Sequence, residues 1–236
     1  MKFLWYIAAH ERIEVTSMCY RGLHRVNEYA RKQGHEVDVF IVCSDRIHQE
    51  LAAAHGFYFS NIIPNEPLGR KMNLGLIEAM DLDFDYIVQS GTDNLYTSNL
   101  LTFYADKIKQ SGFEFFGLNK IYFYDFYRHI AKLYSPLSVF GAGRAISRNI
   151  LEGVSRKVNI WPDHINKGLD NSSERIIEKH FENIVFSHPV FPNVTPSVVD
   201  IKSEVNIHQY ADMPGKVLNE TQLEELRFNF RELWKQ

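Results

Sequence analysis

The tetrapeptide Gly91-Thr92-Asp93-Asn94 puts a carboxylate directly after a short apolar run, Tyr86-Ile87-Val88. A carboxylate is a hard oxygen donor of the kind Mg²⁺ and Mn²⁺ take. At the carboxyl end of a buried strand in an open α/β sheet, it stands where ligands bind. Asp93 is therefore a candidate to hold a divalent cation beside a ligand phosphate, with Thr92 in the same turn. Local sequence alone better suits a helix cap, or a turn closed with Asn94. Asp170, in Lys167-Gly168-Leu169-Asp170, is placed either to take a proton from a hydroxyl or to cap the helix expected after it. Asp163, beside Trp161, is the alternate base. Arg70 and Lys71 open a helix, where free backbone N–H groups and the helix dipole favour anions. Lys202 and Arg144 are further phosphate candidates, and solvated surface charge is the ordinary alternative for each.

The elements that must position these groups follow from hydrophobic spacing. Met72, Leu76, Ile77 and Met80 recur at helical spacing, so a helix from Leu68 precedes the Tyr86-Ile87-Val88 strand. Asp81, Asp83 and Asp85 form the turn between them. Upstream, Lys2 to Ala8 reads as a buried strand. A helix follows with Val15, Met18, Leu23, Val26 and Ala30 on one side, stopped by Gly34. Val37 to Cys43 is a second strand, and Ser44 or Asp45 caps a short helix that runs to about His55. Phe57 to Ile63 is a third strand. The opening half is thus β-α-β-α-β-α-β, which predicts a mostly parallel sheet with right-handed crossovers. Beyond it lie a helix over Ser98–Lys109, a strand over Phe113–Leu118 and an aromatic extended stretch to Tyr127. A small-residue segment, PLSVFGAGRAISR, leads into a short helix. Helices over Glu174–Phe181 and Thr221–Trp234 follow, the latter with Leu223, Leu226, Phe230 and Leu233 on one stripe.

Asn73, Gly75, Ala79, Tyr86, Ile87, Val88 and Asp93 fall in an order that resembles the family-2-like glycosyltransferases of GT-A fold. That family carries an Asn-x-Gly helix, an Ala near its end, a Tyr-Ile-Val-type strand and an Asp-x-Asp loop. The resemblance covers residues 1 to about 100 and thins beyond. It departs at Gly91, where the family has its first loop acid, so the triplet reads Gly-Thr-Asp. The resemblance implies a GT-A-like (Rossmann-like) α/β fold: a mostly parallel sheet flanked by helices, with a smaller mixed acceptor-side half. The expected organisation is one domain, with residues 1–118 binding the nucleotide-sugar and 119–236 the acceptor. It implies Mn²⁺ or Mg²⁺ on Asp93, with His208 as the late second ligand, although a lone histidine has other common fates. It implies donor contacts from Arg12, Lys71, Asn73, Thr92, Arg144 and Lys202, and close backbone approach to the donor sugar at Phe140-Gly141-Ala142-Gly143-Arg144. The expected activity moves a sugar from a nucleotide-sugar, in the first instance a UDP-sugar, to a hydroxyl on a glycan or other acceptor. Asp170 as base implies inversion. If Asp170 is a cap, retention is equally open.

Composition bounds the rivals. The chain has 236 residues, 45% of them hydrophobic and 14% aromatic, enough for a sizeable core. A net charge of −3 without a long basic run argues against a broad nucleic-acid or anionic-membrane surface. Cys19 and Cys43 sit in apolar settings and read as free thiols. The stretch KFLWYIAAHER reads as a core strand rather than a signal peptide, and no run reaches transmembrane length, so a soluble cytoplasmic protein is expected. No Walker A motif, Cys-x-x-Cys zinc site, His-Glu-x-x-His or Gly-x-Ser-x-Gly elbow is present. Two alternatives remain open here. One is a nucleotide- or glycan-binding protein on a transferase scaffold that no longer catalyses. The other is a phage-type transferase acting on modified DNA bases.

Overall fold

The computed structural model describes residues 1–135, 139–155, 157–181, 197–203 and 209–234. The chain opens with β1 (Lys2–Ala9), α1 (Ile13–Lys32), β2 (Glu36–Cys43), α2 (Arg46–Ala54), β3 (Tyr58–Phe59), α3 (Leu68–Ala79) and β4 (Tyr86–Gly91). These strands pair in the order β3-β2-β1-β4, all parallel. β1 has β2 on one side and β4 on the other, so the connections diverge at β1. The crevice of such an α/β sheet opens at that switch, over the carboxyl ends of β1 and β4.

Next come β5 (Asn94–Tyr96), α4 (Leu100–Ser111), β6 (Phe115–Phe116), β7 (Ile121–Asp125), β8 (Ile130–Tyr134), β9 (Ala145–Ser147) and α5 (Arg148–Ser155). The chain ends with α6 (Leu169–His180), β10 (Val198–Lys202), β11 (Lys216–Val217) and α7 (Glu220–Asn229). β9 adds antiparallel to β4, and β6 to β9. A second sheet has the order β11-β8-β7-β10-β5. β10 pairs with β5 antiparallel and with β7 parallel.

Alternation along β1 builds the core on both faces. Phe3, Trp5 and Ile7 pack with Tyr20, Leu23 and Val26 of α1. Leu4 and Tyr6 pack with Met72, Leu76 and Ala79 of α3 and with Ile150 and Leu151 of α5. Each large side chain buried this way contributes roughly 2 kcal/mol of transfer free energy. The Trp5 indole N–H donates to Asn27 Oδ1 at 2.8 Å, so its polar atom is satisfied inside the core. α3 sits unusually close to the sheet. A Cβ on Gly75 would lie 2.4 Å from Val42, and the Tyr6 hydroxyl donates to the Met72 carbonyl.

Several boundaries differ from the sequence expectation. β3 is two residues long rather than seven, at the open edge of the sheet. The buried stripe of α3 is Met72, Gly75, Leu76 and Ala79, whereas Ile77 is 68% exposed. Close packing at Gly75 rotates the helix so that Ile77 falls outside it. α6 begins at Leu169 rather than Glu174, because Gly168 at φ +70° takes the cap. Glycine reaches that conformation at no steric cost. Asp170 therefore lies in the first turn and is not the cap. No described helix is long and apolar enough to cross a membrane.

Candidate functional site

Over the carboxyl ends of β1 and β4 lies a cleft of about 610 Å³. Its walls carry the loop after β1, the turn after β4, the end of β10 and the start of α6. Arg12, Thr92, Asp93, Asp170 and Lys202 all line it, as does Asp200.

The floor is an alternating charge cluster. Arg12 Nη1 donates to Asp93 Oδ2 at 2.7 Å, and Arg12 Nη2 lies 3.4 Å from Thr92 Oγ1. Lys202 Nζ donates to Asp200 Oδ2 at 2.8 Å. The Asp93 backbone carbonyl accepts from Ile201 N at 2.7 Å, and Asp200 stands opposite Asn94 in the β5–β10 pairing. Two segments more than a hundred residues apart in sequence are thereby locked together, and their two acids become neighbours.

Electrostatics separates those acids. Burial alone would push the Asp93 carboxyl up, but Arg12 and Lys202 outweigh it and hold it below the ordinary carboxylate range. Asp200 goes the other way. Burial, then the nearby Asp93 charge, push it up to about 7 against the pull of Lys202 and Arg12. Burial would lower the Arg12 guanidinium, and Asp93 more than offsets this.

The turn has a specific geometry. Asn94 Oδ1 accepts from Gly91 N at 2.8 Å. A Cβ on Gly91 would lie 2.4 Å from Asp93 Oδ1. The missing side chain is thus the space the Asp93 carboxylate occupies.

Asp170 projects from the other wall. Gln89 Nε2 of β4 lies 3.3 Å from its Oδ1. A Cβ on Gly141 would lie 2.0 Å from the same oxygen. Gly141 therefore makes room for this carboxylate, where the sequence suggested an approach to the donor sugar.

Other expected site residues are engaged elsewhere, and their partners give the reason. Lys71 is 1% exposed; its ammonium donates to the Ala9 carbonyl at 2.7 Å and to Asn65 Oδ1 at 3.1 Å. It ties β1 to the segment before α3, and burial lowers it to about 8. Asn73 clamps the Trp161 loop, donating to the Trp161 carbonyl at 2.6 Å and to Asp163 Oδ1 at 2.7 Å and accepting from Trp161 N. Asp163 is held there by Asn73 and Asn159 at an exposed position outside the cleft wall. Arg144 is wholly buried; it donates to the Asp170 carbonyl at 2.7 Å, lies 3.5 Å from Glu174 and stacks on Phe115. It anchors the start of α6 instead of facing a phosphate. Gly143, at φ +82°, serves the tight turn, its carbonyl accepting from the Tyr104 hydroxyl. His208 lies outside the described residues.

Asp200 is the functional candidate that the sequence reading missed. Its signal was present: Asp200 and Lys202 are two apart in Val198-Val199-Asp200-Ile201-Lys202, so both fall on one face of an otherwise apolar strand. Among the described residues, no group of three or more His, Cys, Asp or Glu gathers as a metal centre. The donor set present nevertheless fits a hard divalent cation. Asp93 and Asp200 supply adjacent carboxylates, and Asp200 Oδ1 is buried with no hydrogen-bond partner among the described residues.

The chain matches no protein-family model, and no curated protein matches its sequence. Solved structures do resemble it. Staphylococcus aureus TarS 1-349 in complex with UDP-GlcNAc matches with TM-score 0.59 at 13% identity, over 100% of this chain and 67% of that one. A second structure of TarS 1-349 matches with TM-score 0.53 at 13% identity, over 86% and 58%. The mannosyltransferase PcManGT of Pyrobaculum calidifontis, in complex with GDP-Man and Mn²⁺, gives TM-score 0.55 at 13% identity, over 86% and 57%. The chain thus spans about three fifths of the length of these proteins. Likeness at this identity shows the fold, which is that of the GT-A glycosyltransferases expected from the sequence.

Proposed function

We propose that this protein is a metal-dependent glycosyltransferase that moves a sugar from a nucleotide-sugar, a UDP-sugar in the first instance, to a hydroxyl acceptor. One observation carries the reading. A floor of alternating carboxylates and cations and a separate carboxylate, Asp170, occupy different walls of one cleft at the sheet's switch point.

Nucleotide-sugar transfer needs this division of labour. The donor's diphosphate carries negative charge that grows as the glycosidic bond breaks. Asp93 and Asp200 would hold Mg²⁺ or Mn²⁺, which when bound supplies Lewis-acid stabilisation of that leaving group. Arg12 and Lys202 add fixed positive charge at the same floor, in a setting where burial strengthens it. The amino end of α1, which begins just after Arg12, favours an anion in the same place. Asp170 accepts the proton of the acceptor hydroxyl as its oxygen attacks the anomeric carbon. Gln89 and Gly141 fix where that carboxylate stands. Attack from the face opposite the leaving diphosphate inverts the anomeric centre.

The two complexes with UDP-GlcNAc and with GDP-Man and Mn²⁺ support the donor class by analogy of fold. A second reading, nucleotide binding without transfer, has one observation in its favour: Gly91 leaves the turn with a single carboxylate. Release of UDP from a panel of UDP-sugars separates the two. Transfer predicts release by the wild type and its loss in Asp170→Asn with UDP binding retained. Binding alone predicts no release from any sugar by either protein.

A further inference from the structure

The loop that delivers Arg12 to the cleft holds an uncommon backbone. Glu11 at φ 53° and Arg12 at φ 52° are consecutive non-glycine residues in the left-handed region, which L side chains rarely adopt. Such conformations persist only where neighbours determine them, and they concentrate at functional sites. On one side the loop is held by Arg12 itself, through Asp93 and through its carbonyl, which accepts from Thr16 N at 2.9 Å. On the other side stands His48, on α2 and 1% exposed.

Among the described residues the His48 ring has two hydrogen-bond partners, and both can only accept. Its Nδ1 lies 2.7 and 2.9 Å from the two Asp45 carboxylate oxygens. Its Nε2 lies 3.0 Å from the Glu11 carbonyl. A neutral imidazole donates from one nitrogen only. Satisfying both contacts needs protons on both nitrogens, hence the imidazolium. Asp45 is fixed for the task, because it also caps α2 by accepting from His48 N at 2.9 Å.

We propose that His48, donating from both ring nitrogens, is the positioning residue that pins the Glu11 carbonyl and so aims Arg12 into the donor site. Protonation of His48 then governs how well the cleft holds a nucleoside diphosphate. Among the described residues, the other charged and titratable groups around this pair are His10 and Glu11 on the β1–α1 loop, Tyr20 on α1, Lys71 on α3 and Cys43 on β2. With both ring nitrogens protonated, both bonds stand and Arg12 is aimed. With the imidazole neutral and Nδ1 keeping its proton for Asp45, Nε2 carries a lone pair toward the Glu11 carbonyl, that bond is lost and the loop relaxes.

The effect on nucleotide affinity rests on the donor-site reading above, whereas the protonation state does not, so two measurements keep the failures apart. The first is ¹⁵N histidine NMR of the nucleotide-free protein from about pH 5.5 to about pH 8.5, the window in which histidines titrate. The expected result is a His48 signal protonated at both nitrogens at the acid end. A His48 neutral throughout overturns the proposal. The second is UDP affinity across the same range in wild type, His48→Gln and Asp45→Asn. Wild-type affinity is expected to fall about tenfold or more with rising pH, the loss of one hydrogen bond to a charged group. His48→Gln keeps an amide donor for Glu11 and cannot titrate, so its profile should lose that fall. Asp45→Asn should move the fall to lower pH. UDP itself, Asp200 and Lys71 also titrate in or near this range, but they are common to all three proteins. A His48→Gln profile that tracks the wild type refutes the assignment. Absence of UDP binding in every protein, with the doubly protonated signal present, removes the donor reading and leaves the clamp.

Discussion

Gly141→Ala tests whether one wall of the cleft works apart from the other. The new methyl would lie 2.0 to 2.2 Å from the carboxylate atoms of Asp170, far inside van der Waals contact. Gly141 does not use a left-handed backbone, so alanine is not strained there by its own φ. The nearest atoms are the end of a flexible side chain, and rotating that side chain relieves the overlap. The cost to folding is therefore modest, about 1 kcal/mol. The cost to chemistry is not. The carboxylate must move by an ångström or more from the position that Gln89 and Gly141 define, and a displacement of that size costs about a hundredfold in rate. The charged floor of Arg12, Asp93, Asp200 and Lys202 is untouched. The expected result is UDP release from a UDP-sugar slowed about a hundredfold, with UDP affinity within about twofold of wild type. In an Asp170→Asn background the same substitution should add little, because residues acting through one group are not additive. Unchanged release in Gly141→Ala, or a loss of UDP affinity equal to the loss of rate, would refute the assignment of Asp170 as base.

Asp200→Asn should raise the melting temperature of the nucleotide-free protein by a few degrees at pH 8 and leave it unchanged near pH 4. The folded-state pKa of Asp200 is raised, so its contribution to stability is present at low pH and is lost as pH rises between about 4 and about 7. Calorimetric scanning across that range checks it, and a shift independent of pH would count against the buried charge. Gly91→Asp restores an acid to the turn yet should weaken UDP binding at least tenfold in calorimetry, because its Cβ takes the space of the Asp93 carboxylate. Tighter binding would show that the turn accommodates both acids. Asn73→Ala should destabilise the protein by about 2 kcal/mol in urea, by unpairing the Trp161 backbone and removing one of the two amides that hold Asp163, while UDP affinity stays near wild type. A selective loss of affinity would return Asn73 to the donor site.

The alternation of strands and helices through β4 was legible because each buried strand is a short apolar run and each helix shows its own period. The position of Asp93 was legible because it follows such a run at the end of a parallel strand. Asp200 was not, because its place beside Asp93 depends on β10 pairing with β5 across the second sheet. Local sequence holds no record of that partner, although the charged face of β10 marks it in retrospect. Lys71 misled for a different reason. A cation at a helix start suggests anion binding, but Lys71 shares its face with Met72 and Gly75 and so points into the core. Arg144 failed similarly: a basic residue after glycines suggests phosphate, whereas burial against Phe115 and Glu174 makes it a strut. Asp170 was ambiguous between base and cap until Gly168 was seen to take the cap.

In the proposed function Asp93 anchors a metal-dependent nucleotide site. Calorimetric titration with UDP, with and without Mn²⁺, in wild type and Asp93→Ala puts this to the test. Binding by the wild type should be strongly enhanced by Mn²⁺, and that enhancement should be lost in an Asp93→Ala protein that remains folded. Wild-type protein silent toward UDP, GDP, CDP and dTDP alike, with or without the metal, would contradict it.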